Sequence, residues 1–196
     1  ISATGQGYET AFAQAVAEGL GVNPDDVTVH LGNTDIAPYG MGSRGARGGT
    51  AGGGTAYLAG QETQAKVLII AAQMLHLNSP DTLRMKEGKV WQRVDEDWSD
   101  TGLTLADIAR VAYLDPTKLP DGVDPGIYVH NTYDPPRMTY SNSTHFCLVS
   151  IAIKTGEVCI ERYLIVENCG TVINPLIVEG QQHGATIMGL SGTLFE

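Results

Sequence analysis

Three stretches of the chain set glycine beside an expected helix start, a pairing suited to holding an anion. Gly5-Gln6-Gly7 stands before the first helical pattern. Glycine lets the backbone come close to a ligand, and free amides at a helix start attract negative charge. Gly48-Gly49-Thr50-Ala51-Gly52-Gly53-Gly54-Thr55 leads into a second helix, with Arg44 and Arg47 just upstream to pair with anionic oxygens. The third stretch comprises Asn168-Cys169-Gly170, Asn174-Pro175 and Glu179-Gly180-Gln181-Gln182-His183-Gly184. Gly180 and Gly184 share one helix face and allow close approach there. Gln181 carries amide donors and a carbonyl acceptor suited to the edge of a heterocycle. Taken singly, the first stretch reads equally as a turn, the second as a solvent-facing loop, and His183 as a structural histidine. The first is no dinucleotide fingerprint, since no strand precedes it and no third glycine follows at the required offset. The second is no Walker A loop, since no Gly-Lys-Ser/Thr closes it. Together the three fit one large, anionic, heterocyclic ligand, and they are expected to converge on it.

Other chemistry is poorly supported. Cys147, Cys159 and Cys169 are spaced by 12 and 10 residues, without a CxxC or a close histidine partner for zinc. They read as three reduced thiols of an intracellular protein, each a small buried apolar group. Tyr133-Asp134-Pro135-Pro136-Arg137 and Ser141-Asn142-Ser143-Thr144-His145 read as polar loops, able to face a substrate but more simply solvated. No Ser-His-Asp or Cys-His set can be assembled, and the acids at 95–97 read as a solvated face.

Periodicity supplies the elements that must carry these groups. Phe12, Val16 and Leu20 mark the apolar face of a helix over 9–20, which Gly21 stops. Residues 27–31 alternate as a strand, and a long helix is predicted over 54–77. Residues 83–85 and 90–94 suggest a hairpin around Gly88. Thr104 caps a short helix. Residues 145–153 and 158–167 alternate around Lys154-Thr155-Gly156-Glu157 as a second hairpin. Asn174 as N-cap and Pro175 at the first helical position open a helix to about 190. The fold class expected is α+β, with helices layered on mixed or antiparallel sheets.

Composition bounds the partners. The chain has 196 residues, 42% of them hydrophobic and 17% charged, which is globular. A net charge of −10 argues against nucleic acid. The longest uncharged apolar run, 67–72, is far short of the roughly 18 residues of a membrane span. There is no signal-peptide pattern. The chain begins with Ile1 and reads as a piece of something longer. Nine acids between Asp95 and Asp134 face only Arg110 and Lys118, and five of the nine prolines lie in or just after that stretch. Residues 79–140 are therefore expected to form an exposed, insertion-like excursion between two better-packed blocks, with 95–134 mainly irregular apart from a short helix near 104–113.

An ordered set of motifs resembles the xanthine dehydrogenase/aldehyde oxidase family. It consists of Gly5-Gln6-Gly7-Tyr8-Glu9-Thr10, the run from Gly32 through Asn33-Thr34-Asp35 to Tyr39-Gly40, Gly42-Ser43-Arg44, and the run from Glu167 to Gln181. The match is to the molybdenum-cofactor-binding large subunit, of the kind found in aerobic carbon monoxide dehydrogenase, and it covers nearly the whole chain. The resemblance implies hydroxylation of an aldehyde, N-heterocycle or CO-like substrate with water as oxygen source. It implies a molybdenum–molybdopterin cofactor, with the cytosine dinucleotide form among the options. It also implies electron transfer to [2Fe-2S] and FAD on partner subunits or domains, and a cytoplasmic location. Position by position, Gly5, Gln6 and Gly7 resemble the segment near the metal's oxo ligand and the pterin. Ala51, Gly52, Gly53 and Thr55 resemble the segment holding the pterin dithiolene, although Gly53 and Gly54 stand where relatives often carry hydroxyls. Asn168 stands where many relatives have an acid, and Gln181 resembles a second pterin-contacting glutamine. The base glutamate is expected beyond residue 196, so no catalytic residue is assigned here, and these residues alone are expected to be inactive. The rival readings are a non-catalytic scaffold or interaction module that kept the fold, and a nucleotide-binding module, against which the missing P-loop lysine argues.

Overall fold

Helix α1 (Tyr8–Leu20) starts where Gly7 takes the left-handed backbone, and it ends where Gly21 does the same, with the Gly21 and Val22 amides both donating to the Ala17 carbonyl. Its packing differs from the expected Phe12–Val16–Leu20 stripe. Phe12 is buried, but the rest of the buried face is Ala13, Ala15, Ala17 and Gly19. The reason is the close approach of helix α2 (Gly54–Met74). A Cβ on Gly19 would lie 2.4 Å from the Tyr57 carbonyl oxygen, and one on Gly60 would lie 2.6 Å from that of Val16. At such a crossing only small residues fit. Gln64 then donates to the Gly19 and Leu20 carbonyls, which the end of α1 leaves without helical partners.

The computed structural model describes residues 1–36, 39–135 and 139–195. It comprises two units, Ile1–Pro135 and Pro136–Glu196. In the first, α2 buries Val67, Leu68, Ile70, Ala71 and Ala72 against an antiparallel sheet in the order β1 (Leu83–Lys86), β2 (Lys89–Val94), β3 (Asp97–Thr104). Glu87 and Gly88, both with positive φ, make the β1–β2 turn, and the Gly88 amide donates to Gly21 at the end of α1. Helix α3 (Leu105–Leu114) closes the core with Ile108 and Ala112. Thr104 and Asp107 cap it reciprocally.

Two expectations are corrected here. Residues 79–140 keep their carboxylates exposed or half-exposed, with no charged residue buried among the described ones, yet Leu83, Met85, Val90, Ile108 and Ala112 supply half of the main core. The stretch is therefore no excursion. Its third strand escapes pattern reading because Asp-Trp-Ser-Asp-Thr-Gly-Leu-Thr has no run of alternating apolar residues. Residues 27–31, expected as a strand, join no sheet among the described residues. Alternation alone does not make a strand where no neighbour offers hydrogen bonds.

The second unit holds a hairpin, β4 (Asn142–Ile151) with β5 (Val158–Asn168), and helix α4 (Pro175–Leu194). Register runs from Asn142 opposite Asn168 to Ile151 opposite Val158, with a bulge at Leu148/Val149. Asn174 accepts from the Ile177 amide, and Pro175 starts the helix as expected. No described residue of this unit is fully buried. Phe146 and Leu164, cross-strand partners, are 58% and 54% exposed. The three cysteines are free and exposed, so the expectation that they are buried is not met. A lone two-stranded hairpin is marginal in water, so this unit depends on further packing.

Ile108 is fully buried in the middle of the acidic stretch. Ile108→Ala should cost about 2–5 kcal/mol by urea denaturation; a loss near zero would show that the stretch lies outside the core. Acid pH offers a second check. Asp107 has its carboxyl held below the ordinary carboxylate range, first by the Thr104 hydroxyl and then by the Thr104 amide. A lowered pKa adds stability above the unfolded-state value of about 3.9 and loses it as pH falls through the folded-state value. The stability gap between wild type and Asp107→Ala should therefore shrink below about pH 4, and an unchanged gap at low pH would refute this.

Candidate functional site

The Gly5-Gln6-Gly7 turn is built on positive φ angles of 95° at Gly5 and 71° at Gly7. A Cβ at Gly5 would meet nothing within 4 Å. Backbone conformation, not crowding, is what demands glycine there. Between the two, the Gln6 side chain folds back so that its Oε1 accepts from both the amide and the hydroxyl of Thr4. The strand-like lead-in is tied down on both sides: Ser43 donates to the Ser2 carbonyl at 2.6 Å, and the Gly32 amide to that of Ile1 at 3.1 Å.

The glycine run is more ordered than a loop. Gly48–Gly53 wind as a π-helical turn that continues into α2. Such wide turns recur at functional sites. Two of its glycines are explained by aromatic rings, as is Gly54 at the start of α2. A Cβ on Gly48 would strike the Tyr8 ring, one on Gly52 would lie 2.5 Å from Phe12, and one on Gly54 would lie 2.4 Å from Tyr133. Tyr8 and Phe12 are themselves stacked, with ring centroids 5.1 Å apart. Tyr8 and Phe12 extend directly from the Gln6 turn. The structure thus brings the first two glycine stretches together through this aromatic seam. Gly49, by contrast, is open. Ala51 and Gly53 are buried, and the Thr55 hydroxyl donates to the Ala51 carbonyl, which leaves its lone pairs as acceptors. On the segment that crosses this edge, the Asn131 amide has its oxygen and nitrogen buried without a partner. Unpaired buried polar atoms cost free energy until a partner reaches them. Sequence patterning missed Thr4, and it named Tyr8 within the Gly5–Thr10 motif and Tyr133 within a polar loop without assigning either ring to the glycine run.

The third stretch belongs to the second unit. Asn168 accepts from the Gly170 amide at 3.0 Å in a local turn. Gln181 is exposed on α4, and Cβ atoms added at Gly180 and Gly184 would meet nothing within 4 Å, so no backbone approaches that helix face here. Residues 142–145, expected as a loop, are the start of β4. There His145 sits between two hydroxyls, Ser143 Oγ at 3.0 Å and Tyr163 at 3.1 Å. The trio faces a groove of about 510 Å³ between the hairpin and α4 that also includes Glu167, Gln182 and Thr186. His183 is exposed and borders only the smaller neighbouring groove. Ala37, Pro38, Pro136 and Arg137, which fall within sequence motifs, lie outside the described residues.

Chemically, the first unit offers amide donors at the Gln6 turn and the π turn. It also offers Arg44 and Arg47, which form no ion pair among the described residues. No group of three or more His, Cys, Asp or Glu among the described residues could hold a metal directly. The donor set therefore fits an anionic, hydrogen-bonding organic molecule, including one that carries its own metal. The comparisons agree with this chemistry. A molybdopterin cofactor-binding domain model matches residues 1–196. The chain belongs to that family. This molybdopterin cofactor-binding domain is 38% identical over 180 residues to the carbon monoxide dehydrogenase large chain of Afipia carboxidovorans, which covers 92% of this chain and 21% of the relative. It is 33% identical to the nicotine 6-hydroxylase large subunit of Paenarthrobacter nicotinovorans, over 100% of this chain and 24% of that one. A solved Cu,Mo-CO dehydrogenase superposes with a TM-score of 0.81 at 36% identity, over 93% of this chain and 22% of the other. Quinoline 2-oxidoreductase from Pseudomonas putida 86 gives 0.80 at 31%, over 92% and 22%. The chain spans about a fifth of the length of these relatives. The fold is the mixed α and antiparallel β architecture expected from the sequence. No helix among the described residues is long and apolar enough to cross a membrane.

The aromatic seam yields a paired prediction. Gly48→Ala must push the Tyr8 ring off its seat and should cost about 1–3 kcal/mol, as overpacking does. Gly49→Ala meets open space and should leave the melting temperature unchanged or slightly raised. Equal effects of the two substitutions in a thermal melt would contradict the packing described.

Proposed function

We propose that this domain binds the molybdenum–molybdopterin cofactor of a hydroxylase that oxidises a small aldehyde, N-heterocycle or CO-like substrate. The supporting observation is the seating of the Gln6 turn on the glycine run, two amide-rich segments side by side within one unit. Gly5, Gln6 and Gly7 would face the reactive end of the cofactor. Ala51, Gly52, Gly53 and Thr55 would hold the pterin by backbone and hydroxyl contacts, with Asn168 and Gln181 adding further hydrogen bonds. When bound, the cofactor supplies two-electron oxidation with oxygen drawn from water. The residues of this chain orient it and offset its negative charge. Arg44 and Arg47 suit anionic oxygens, including those of a cytosine dinucleotide form. Electrons would leave through [2Fe-2S] and FAD groups on partner subunits. Names such as "large chain" and "complex subunit gamma" among the relatives support such an assembly. Three free thiols fit a reducing, cytoplasmic setting.

The test is to purify the full-length subunit in its native complex. Molybdenum and pterin should be present at one equivalent each, with turnover of one of these substrate classes using an artificial electron acceptor. A preparation with neither metal nor pterin would refute the reading. Residues 1–196 alone should bind little molybdenum and show no turnover. Other parts of the subunit would complete the site, and a missing general base costs roughly 10²–10⁴ in rate. Stoichiometric metal with turnover in the isolated chain would overturn that second expectation.

A further inference from the structure

The Gln6 amide has only one orientation open to it. A backbone N–H donates and never accepts, so the end of the amide that faces the Thr4 amide must be Oε1. The Thr4 hydroxyl donates to the same oxygen at 3.1 Å. Both lone pairs of Oε1 are then engaged, and Nε2 projects from the turn with its two N–H groups and no hydrogen-bond partner among the described residues. Gly5 makes this possible, because its positive φ turns the chain between residues 4 and 6, while Gly7 redirects it into α1. The turn is in turn fixed to the glycine run through Tyr8 on Gly48 and Phe12 on Gly52.

We propose that Thr4 is a positioning residue that commits Gln6 to act as a hydrogen-bond donor, with Nε2 presented to an acceptor atom of the bound cofactor. The proposal rests on the cofactor-binding reading above and adds to it a polarity and a second residue. A free glutamine can offer either end of its amide. With Oε1 already occupied, this one selects a ligand edge that is an acceptor and disfavours one that donates. Ordering the side chain before the ligand arrives also removes that cost from the binding step. Thr4 is exposed, and among the described residues its only side-chain hydrogen bond runs to Gln6, through which it acts.

The experiment uses the full-length subunit in its native complex and measures how fast molybdenum and pterin are lost on dialysis, by elemental analysis and pterin fluorescence. Thr4→Ser keeps both donors and should retain the cofactor as wild type does. Thr4→Val loses the hydroxyl and should speed the loss by about fivefold, the equivalent of one neutral hydrogen bond. Thr4→Pro, which removes the amide donor as well, should speed it further. Gln6→Glu replaces the outward donor with a negative acceptor and should lose the cofactor fastest. The deciding comparison is Thr4→Val made in a Gln6→Leu background, where it should change nothing more, because its effect passes through Gln6. A Thr4→Val protein that retains cofactor like wild type, or an equal Thr4→Val effect with and without Gln6, overturns the proposal alone. A wild type that contains neither molybdenum nor pterin overturns the cofactor-binding reading and this proposal together.

Discussion

The architecture of the first unit hangs on the contact between two helix backbones. Gly19 and Gly60 let α1 and α2 cross with main-chain atoms touching, leaving no room for a side chain at either position. That crossing determines where the N-terminus of each helix lies. At one N-terminus is the Gln6 turn, and at the other is the π turn of Gly48–Gly53. Their adjacency is a consequence of helix packing, transmitted by the stacked rings of Tyr8 and Phe12. The ligand-facing surface is thus an edge of the hydrophobic framework, set by the rigid elements behind it.

Glycine has two separate roles in this region. Gly5 and Gly7 provide left-handed backbone, and a ring or a neighbouring backbone does not crowd Gly5. Gly48, Gly52 and Gly54 give up their side-chain space to tyrosine and phenylalanine rings. Only the open positions, such as Gly49, leave backbone accessible. A glycine-rich segment of this kind is ordered by protein contacts on one side, which leaves its other side available to a ligand. The usual entropic cost of so many glycines is offset by the tight packing they permit.

The acidic stretch shows how charge and burial separate on short elements. Leu83, Met85 and Val90 of β1 and β2 enter the core with one face of α3, and Leu103 of β3 packs against it, while the carboxylates take the outer positions. Several are held by local donors: Asp107 by Thr104, Asp100 by the Gly102 amide and Lys89, and Asp115 by Lys118 and Thr117. The negative surface costs little because no carboxylate has left water. The second unit is built on a different balance. Its hairpin is well registered, yet both faces keep apolar side chains in solvent, so its strand pairing is specified locally and its burial is not.

Much of this could be read from residues near one another in the chain. The helix ends at Gly21, Thr104 and Asn174–Pro175 follow from local backbone chemistry, and they stand where the patterns put them. The hairpin around Gly156 follows from alternation and a turn residue. The motifs that carry the family resemblance are contiguous, so they too were legible. What tertiary structure decided was everything that depends on a distant partner. Residues 27–31 alternate like a strand but found no neighbour to pair with, whereas 97–104 looks polar and became β3 because β2 lay beside it. The small-residue face of α1 made sense only once α2 was against it. Tyr133 reaches Gly54 across almost eighty residues. Local preferences set the elements because they act through neighbouring dihedrals; burial and hydrogen-bond partners are properties of the folded whole, and only the fold could assign them.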